Sequence, residues 1–343
     1  MNPLLKNFRA EFAERVLHLL WRQWNALGVF GTEPVWSGAI IDPDALLVFS
    51  LHTARYDARL FQEIVDWLVQ NGSLINIQRL NNMIGKYEFA GSRILPPVAA
   101  LLAGKDSSQQ LKWKKLAGHP ADTGEEPLFF LSNGRPLPLT GERDARFAQY
   151  GFLTQPLSLR GYSRPFDPSL IVNRLLTYRS FFGVNSRSEL LCLLGTQNGI
   201  TAARAAQLAG YSPRSIQNVF LEMAASGWIE SHEGGRDKVY SLRNDTHLIG
   251  LFKPEQPSVI WVLWPAVFQT LEKVWIKLFS GELDGLDALA LDSELFGLWK
   301  ECRDILSSDA LSGFSLSAPK RTLDGAAADF VLAMQKALDG IGG

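Results

Sequence analysis

Residues 186–242 read SRSELLCLLGTQNGITAARAAQLAGYSPRSIQNVFLEMAASGWIESHEGGRDKVYSL, and their helix and strand signals agree from end to end. Ser186-Arg187-Ser188-Glu189 has capping-box spacing, in which a hydroxyl caps the helix start and a glutamate three residues on reaches back. Leu190, Leu191, Leu193 and Leu194 give that helix an apolar face, and Gly195 ends it. Thr201 caps a second, alanine-rich helix closing at Leu208-Ala209-Gly210. Ser212 then stands at an N-cap with Pro213 in the first helical position, where its missing N–H costs nothing. This third helix spans 213–227, with Ile216, Phe220 and Met223 turned towards the first two. Two strands follow, 228–231 and 238–242, joined through Glu233-Gly234-Gly235-Arg236. Three helices and a hairpin in that order read as a winged helix-turn-helix with its wing at 232–237.

Ser212 at the helix start, Ile216, Phe220 and Met223 within it, and Gly227-Trp228-Ile229 after it carry a resemblance to bacterial winged helix-turn-helix transcriptional regulators of the arsenic-repressor and multiple-antibiotic-resistance-repressor types. The resemblance covers 186–242 only. It implies a small DNA-binding fold and a duplex ligand, with no implication for a particular gene. In such a module the third helix enters the major groove and its outward N-terminal residues meet base edges. With the buried positions removed, those are Arg214, Ser215, Gln217 and Asn218, with Ser212 at the mouth. Arginine can fork onto guanine, and glutamine or asparagine can pair with adenine. Ser212 and the free amides beside it suit a phosphate. Arg236 and Lys238 on the wing, with Arg187 and Arg204, are the expected backbone contacts.

Charge is distributed in the same sense. The whole chain carries −1, yet between residues 160 and 243 ten basic side chains stand against six acidic ones. From 281 onward eleven acids stand against five bases. A basic centre beside an acidic tail suits local contact with nucleic acid. Glu230, Glu233 and Asp237 oppose it, because they flank the basic residues of the wing.

The flanks read as helical. Phe8, Phe12, Val16, Leu19, Leu20 and Trp24 keep helical spacing over 8–26, Asp42-Pro43 opens a second helix, and Asp57 caps a third ending near Asn71-Gly72. A fourth lies within 75–84. These make an N-terminal helical domain, 1–90. Residues 91–165 are proline-rich and read as a linker or insert, with a small hairpin turning at Asn133-Gly134. Residues 166–243 hold the winged helix and a leading helix opened by Asp167-Pro168, and 244–343 a C-terminal helical domain. Three clusters carry two readings each. Arg55 and Arg59 are an anion or partner site, or arginines paired to nearby acids. Arg79 with Asn81, Asn82 and Lys86, and Lys112, Lys114 and Lys115 with Trp113, are further basic surfaces or solvated faces. Trp261, Trp264 and Trp275 are an effector pocket or core.

With 46% hydrophobic residues the chain has ample material for cores. Cys192 and Cys302 lie on apolar faces without metal-type neighbours, as buried thiols of a reducing compartment. No stretch is apolar for long enough to span a bilayer and no signal peptide is read, so a cytoplasmic protein without membrane contact is expected. The five histidines are scattered, no glycine-rich phosphate loop follows a strand, and there is no nucleophile elbow. No enzyme, cofactor or metal is expected. The fold class is mainly α, with an internal winged helix between helical domains. The function expected is a sequence-specific double-stranded DNA-binding transcriptional regulator, acting as a homodimer because one module alone binds weakly. The alternative is a protein-interaction adaptor or antitoxin-like subunit whose module contacts a protein partner. An adaptor would bury the third helix against the flanking helices.

Overall fold

The computed structural model describes residues 2–104, 110–119, 124–197, 199–234, 237–243, 259–306, 316 and 325–342. It is mainly helical, with a small antiparallel sheet. In chain order the helices are α1 (Pro3–Ala26), α2 (Pro43–Thr53), α3 (Ala58–Asn71), α4 (Ile77–Tyr87), α5 (Leu95–Ala103), α6 (Gln110–Ala117), α7 (Ala145–Ala148), α8 (Arg174–Phe182), α9 (Ser186–Thr196), α10 (Ala202–Ala209), α11 (Pro213–Ala225), α12 (Trp264–Phe279), α13 (Ala288–Leu306) and α14 (Ala326–Gly342). Strands β1 (Glu126–Pro127) and β2 (Phe152–Leu153) form one parallel pair. Strands β3 (Ile200–Thr201), β4 (Ile229–Gly234) and β5 (Asp237–Leu242) form an antiparallel sheet in the order β3-β5-β4.

Helix α2 is the axis of the body. Its sequence has no polar stripe, so it must be covered on all sides; all of its eleven residues but His52 are buried. Helix α12 lies along it, with Phe49 and Phe268 stacked at 4.7 Å. Helix α1 meets the last helix edge-on through Phe8 and Phe330, and α12 through Phe12 and Trp275. The helices before residue 104 and those after 263 therefore share one apolar core. Trp261, Trp264 and Trp275 are all buried in it, and the Trp264 indole N–H donates to Ile40 O at 2.7 Å. At Gly91 a Cβ would stand 1.8 Å from Val48 O, so only glycine lets the 90–93 turn press onto α2.

The proline-rich insert is held by polar anchors. Arg55 is buried and donates to Leu128 O at 2.9 Å and Pro127 O at 2.6 Å, beside Glu126. Its partner Arg59 lies over the Trp21 ring. Asp66 receives the N–H groups of Gly161 and Ser163. The turn at Asn133-Gly134 forms as its dipeptide predicts: Gly134 has φ +80°, Leu131 N–H bonds Arg135 O, and Leu137 N–H bonds Phe129 O. Lys112 donates to Gly72 O, Ser73 O and Ile75 O, closing the end of α3, and Trp113 is buried.

Three sequence expectations need correction. Asp167-Pro168 does not open the leading helix: α8 starts at Arg174, and the Asp167 carboxylate receives Ser169 in a turn instead. The capping box before α9 does not form. Asn185 is the cap, accepting from Arg187 N–H at 2.9 Å, and Glu189 turns away into the interior to receive Arg179. A charge-assisted fork from a buried arginine is stronger than a single reach to an exposed amide. Arg79 is not a surface residue: it is fully buried between α4 and α2.

Candidate nucleic-acid interface

Ser212 caps α11, its hydroxyl accepting from Ser215 N–H at 3.2 Å, and Pro213 follows in the first turn. Ile216, Phe220 and Met223 recur every three or four residues, so one face of α11 is buried while the other is open. Tyr240 of β5 lies against Phe220 at 4.5 Å, fastening the hairpin to the same face. Strand β5 alternates accordingly, with Tyr240 and Leu242 inward and Ser241 between them half-buried; Lys238 has the same parity as Tyr240 but is exposed, because the hairpin there has run past the core.

Of the nine residues singled out by sequence, Ser212, Arg214, Ser215 and Asn218 lie exposed together at the start of α11. Gln217 is half-buried, and its amide nitrogen donates to Tyr240 Oη at 2.8 Å. That bond ties α11 to the hairpin, which makes Gln217 a positioning residue as much as a contact. Lys238 is exposed, and the ladder places it across from Glu233. Arg204 bonds Gln207 on its own helix at 2.6 Å. Arg187 stands at the far end of α11, where it pairs with Glu222. It is not part of the cluster around Arg214. Arg236 lies outside the described residues.

The turn before α11 is held by polar side chains that no sequence motif marks, Arg79 and Asn76 buried and Asn82 exposed. Arg79 donates to Ala209 O at 2.6 Å, Asn82 to Gly210 O at 3.2 Å, and Asn76 to Tyr211 Oη at 2.7 Å. Arg79 also pairs with Asp42 and with Asp44 at 2.9 Å. Arg179 from α8 donates to Asp44 at 3.0 Å and to Glu189 at 2.6 Å. Helices α2, α4, α8 and α9 and the turn after α10 thus meet on five charged side chains that water does not reach. Burial alone would raise the Asp44 carboxyl, but the Arg179 and Arg79 guanidiniums outweigh it and hold it below the usual range. Burial would likewise lower both arginines, and the facing carboxylates reverse the sign. The sequence signal was available: Arg79 sits four residues before buried Met83, and Arg179 four after buried Leu175, so each arginine occupies an apolar stripe.

Among the described residues no flanking helix covers the outward face of α11: Pro213, Leu221 and Glu222 are exposed along with the residues named above. No helix among the described residues is long and apolar enough to cross a membrane, and none of their histidine, cysteine or acidic side chains group as a metal site. Comparison with known proteins gives no match: no family model, no curated protein and no solved structure matches this chain.

Proposed function

We propose that residues 186–242 act as a winged helix-turn-helix that binds double-stranded DNA, with the start of α11 in the major groove and the β4–β5 hairpin as wing. The observation that carries this is the open end of α11. Ser212, Arg214, Ser215 and Asn218 are exposed there, on a helix whose opposite face is packed and whose preceding turn is clamped by Arg79, Asn82 and Asn76. Donors and acceptors held rigidly at a helix start meet the geometric demand of direct base readout. The chain would act as a transcriptional regulator, and as a homodimer where two half-sites are read.

A protein-contact role is the second reading. It is favoured by acids that face the basic residues of the module: Lys238 stands across the ladder from Glu233, and Arg187 is engaged by Glu222 of α11. These lower the net positive charge a phosphate would meet.

The test is retention of purified chain on a pool of random duplexes at two salt concentrations, with sequencing of the retained fraction. An enriched motif, relaxed at one base position by Arg214→Ala, is the expected result. A good arginine–guanine fork discriminates by about 1–3 kcal/mol, so the relaxation is roughly five- to 150-fold. Absence of retention at low salt would sink the DNA reading in favour of a protein partner.

A further inference from the structure

The far end of α11 carries a feature the DNA reading leaves unused. A groove of about 550 Å³ opens there between Phe182, Leu191, Met223 and Trp228, and its walls are mostly apolar. On its rim stand Arg187 and Glu222, one of each sign. Beside it, at the end of α8, Phe181 projects into solvent with 79% of its surface exposed, its ring 6.3 Å from that of Phe182. One face therefore holds an aromatic knob, an apolar hole and a pair of opposite charges.

We propose that this face binds a second copy of the chain in a two-fold dimer, Phe181 of each copy filling the groove of the other. A two-fold interface must be complementary to itself. A surface with a knob and a hole satisfies that in shape. A rim with one cation and one anion satisfies it in charge, because Arg187 of each copy then meets Glu222 of the other. An apolar groove with rim charges of a single sign would repel its own copy.

The placement also agrees with the function proposed above, and only the spacing of the two reading ends rests on that function. Arg214 lies nine residues before Met223, about 13 Å along the helix. With a two-fold axis through the groove just beyond Met223, the two Arg214 residues stand at most about 30 Å apart, when the two α11 helices run end to end, and that limit is close to one turn of duplex DNA. The same helix would join the copies at one end and read bases at the other.

Sedimentation equilibrium of the full chain without DNA tests the interface. Wild type is expected to dimerise at micromolar concentration, and Phe181→Ser to weaken the dimer by about tenfold or more, as loss of a central aromatic anchor does. Phe181 is so exposed that its removal leaves the fold intact, which circular dichroism would check. Arg187→Glu and Glu222→Lys should each be monomeric alone, through like charges across the axis. Mixing the two variants should restore a dimer, since each then supplies the charge the other lacks. Repairing the pair in trans excludes an effect confined to one chain. A monomeric wild type, a dimer indifferent to Phe181→Ser, or a mixture that stays monomeric would overturn the inference. A dimer that responds as expected supports it even if no duplex is retained, and in that case the DNA reading alone falls.

Discussion

Two groups of charged residues in this molecule use the same side chains to opposite ends. Around α2, Asp42, Asp44, Arg79, Arg179 and Glu189 are sealed from water and bonded to one another. Around the start of α11, Arg214, Ser215 and Asn218 stand in solvent. The buried set is committed: each member is needed to neutralise another, and together they fix where α8, α9 and the turn before α11 sit. The exposed set contributes little to folding and is therefore free to vary with whatever it contacts. Rigidity in the first is what gives the second a defined geometry.

The comparison breaks most directly at Arg179. Arg179→Met should destabilise the chain by about 3–5 kcal/mol, because Asp44 and Glu189 are left buried without their common partner. The midpoint of urea unfolding measures it. Replacing Asp44 and Glu189 together with Arg179 by apolar residues of similar size should recover most of that loss, since the penalty lies in the orphaned charges. A loss under about 1 kcal/mol for Arg179→Met would mean that the cluster is hydrated, and the contrast between the two regions would lapse.

A second buried acid sharpens the contrast through pH. Glu272 on α12 is 3% exposed, and burial pushes its carboxyl up to about 8 although Ala90 N–H bonds it at 2.8 Å. Among the described residues no arginine pairs with it, in contrast to Asp44. Its folded pKa lies above its unfolded one, so the stability it contributes is full below about 4.5 and is lost as pH rises towards 8. His52 runs the other way: burial and the nearby Arg55 and Arg93 hold it down to about 4, so its contribution is lost as pH falls from 6.5 to 4. Lys112, lowered to about 8 by burial, acts only above that value. Between pH 6.5 and 8 Glu272 dominates, and wild-type stability should fall by about 1.5 kcal/mol more than that of Glu272→Gln. Parallel pH profiles for the two proteins would show that the carboxyl titrates normally.

Legibility in the sequence divides along the same line. Local features were open to reading because their causes are local. Asp42, Asp57, Thr201 and Ser212 cap the helices their spacing predicts, and the apolar stripe of α11 is buried as its period requires. The four residues exposed at the start of α11 were legible for the same reason, by removing the buried positions of one helix. The cluster behind them was legible only in part: the apolar stripes mark Arg79 and Arg179 as buried, but not which acids they meet, and Asp44 and Arg179 meet across 135 positions. Glu189 was misread at shorter range: its capping-box spacing was right, but its partner Arg179 stands ten residues back, on the preceding helix. Gln217 failed differently: its position on the open side of α11 was foreseen, but its bond to Tyr240 depends on where the hairpin folds back.

Intermediate between the two regions is Ser212, exposed yet bonded to Ser215 N–H. Ser212→Ala should cost about 1 kcal/mol in unfolding free energy, the usual worth of a helix cap, and Ser212→Asp almost nothing. Equal losses from both would show that the hydroxyl acts outside its capping role.

The smallest folding effect is expected at Arg214. It is exposed on a helix whose stability comes from Ile216, Phe220 and Met223, so Arg214→Ala should change unfolding free energy by less than about 0.5 kcal/mol. The comparison is sharpest when this null is set beside duplex retention measured on the same preparation. A side chain that matters for neither folding nor binding would leave the open end of α11 without a role. One that matters for folding would have a partner inside the chain. Only the combination of an unchanged unfolding midpoint with lost retention separates a reading surface from a structural one, and it does so without any assumption about which bases are read.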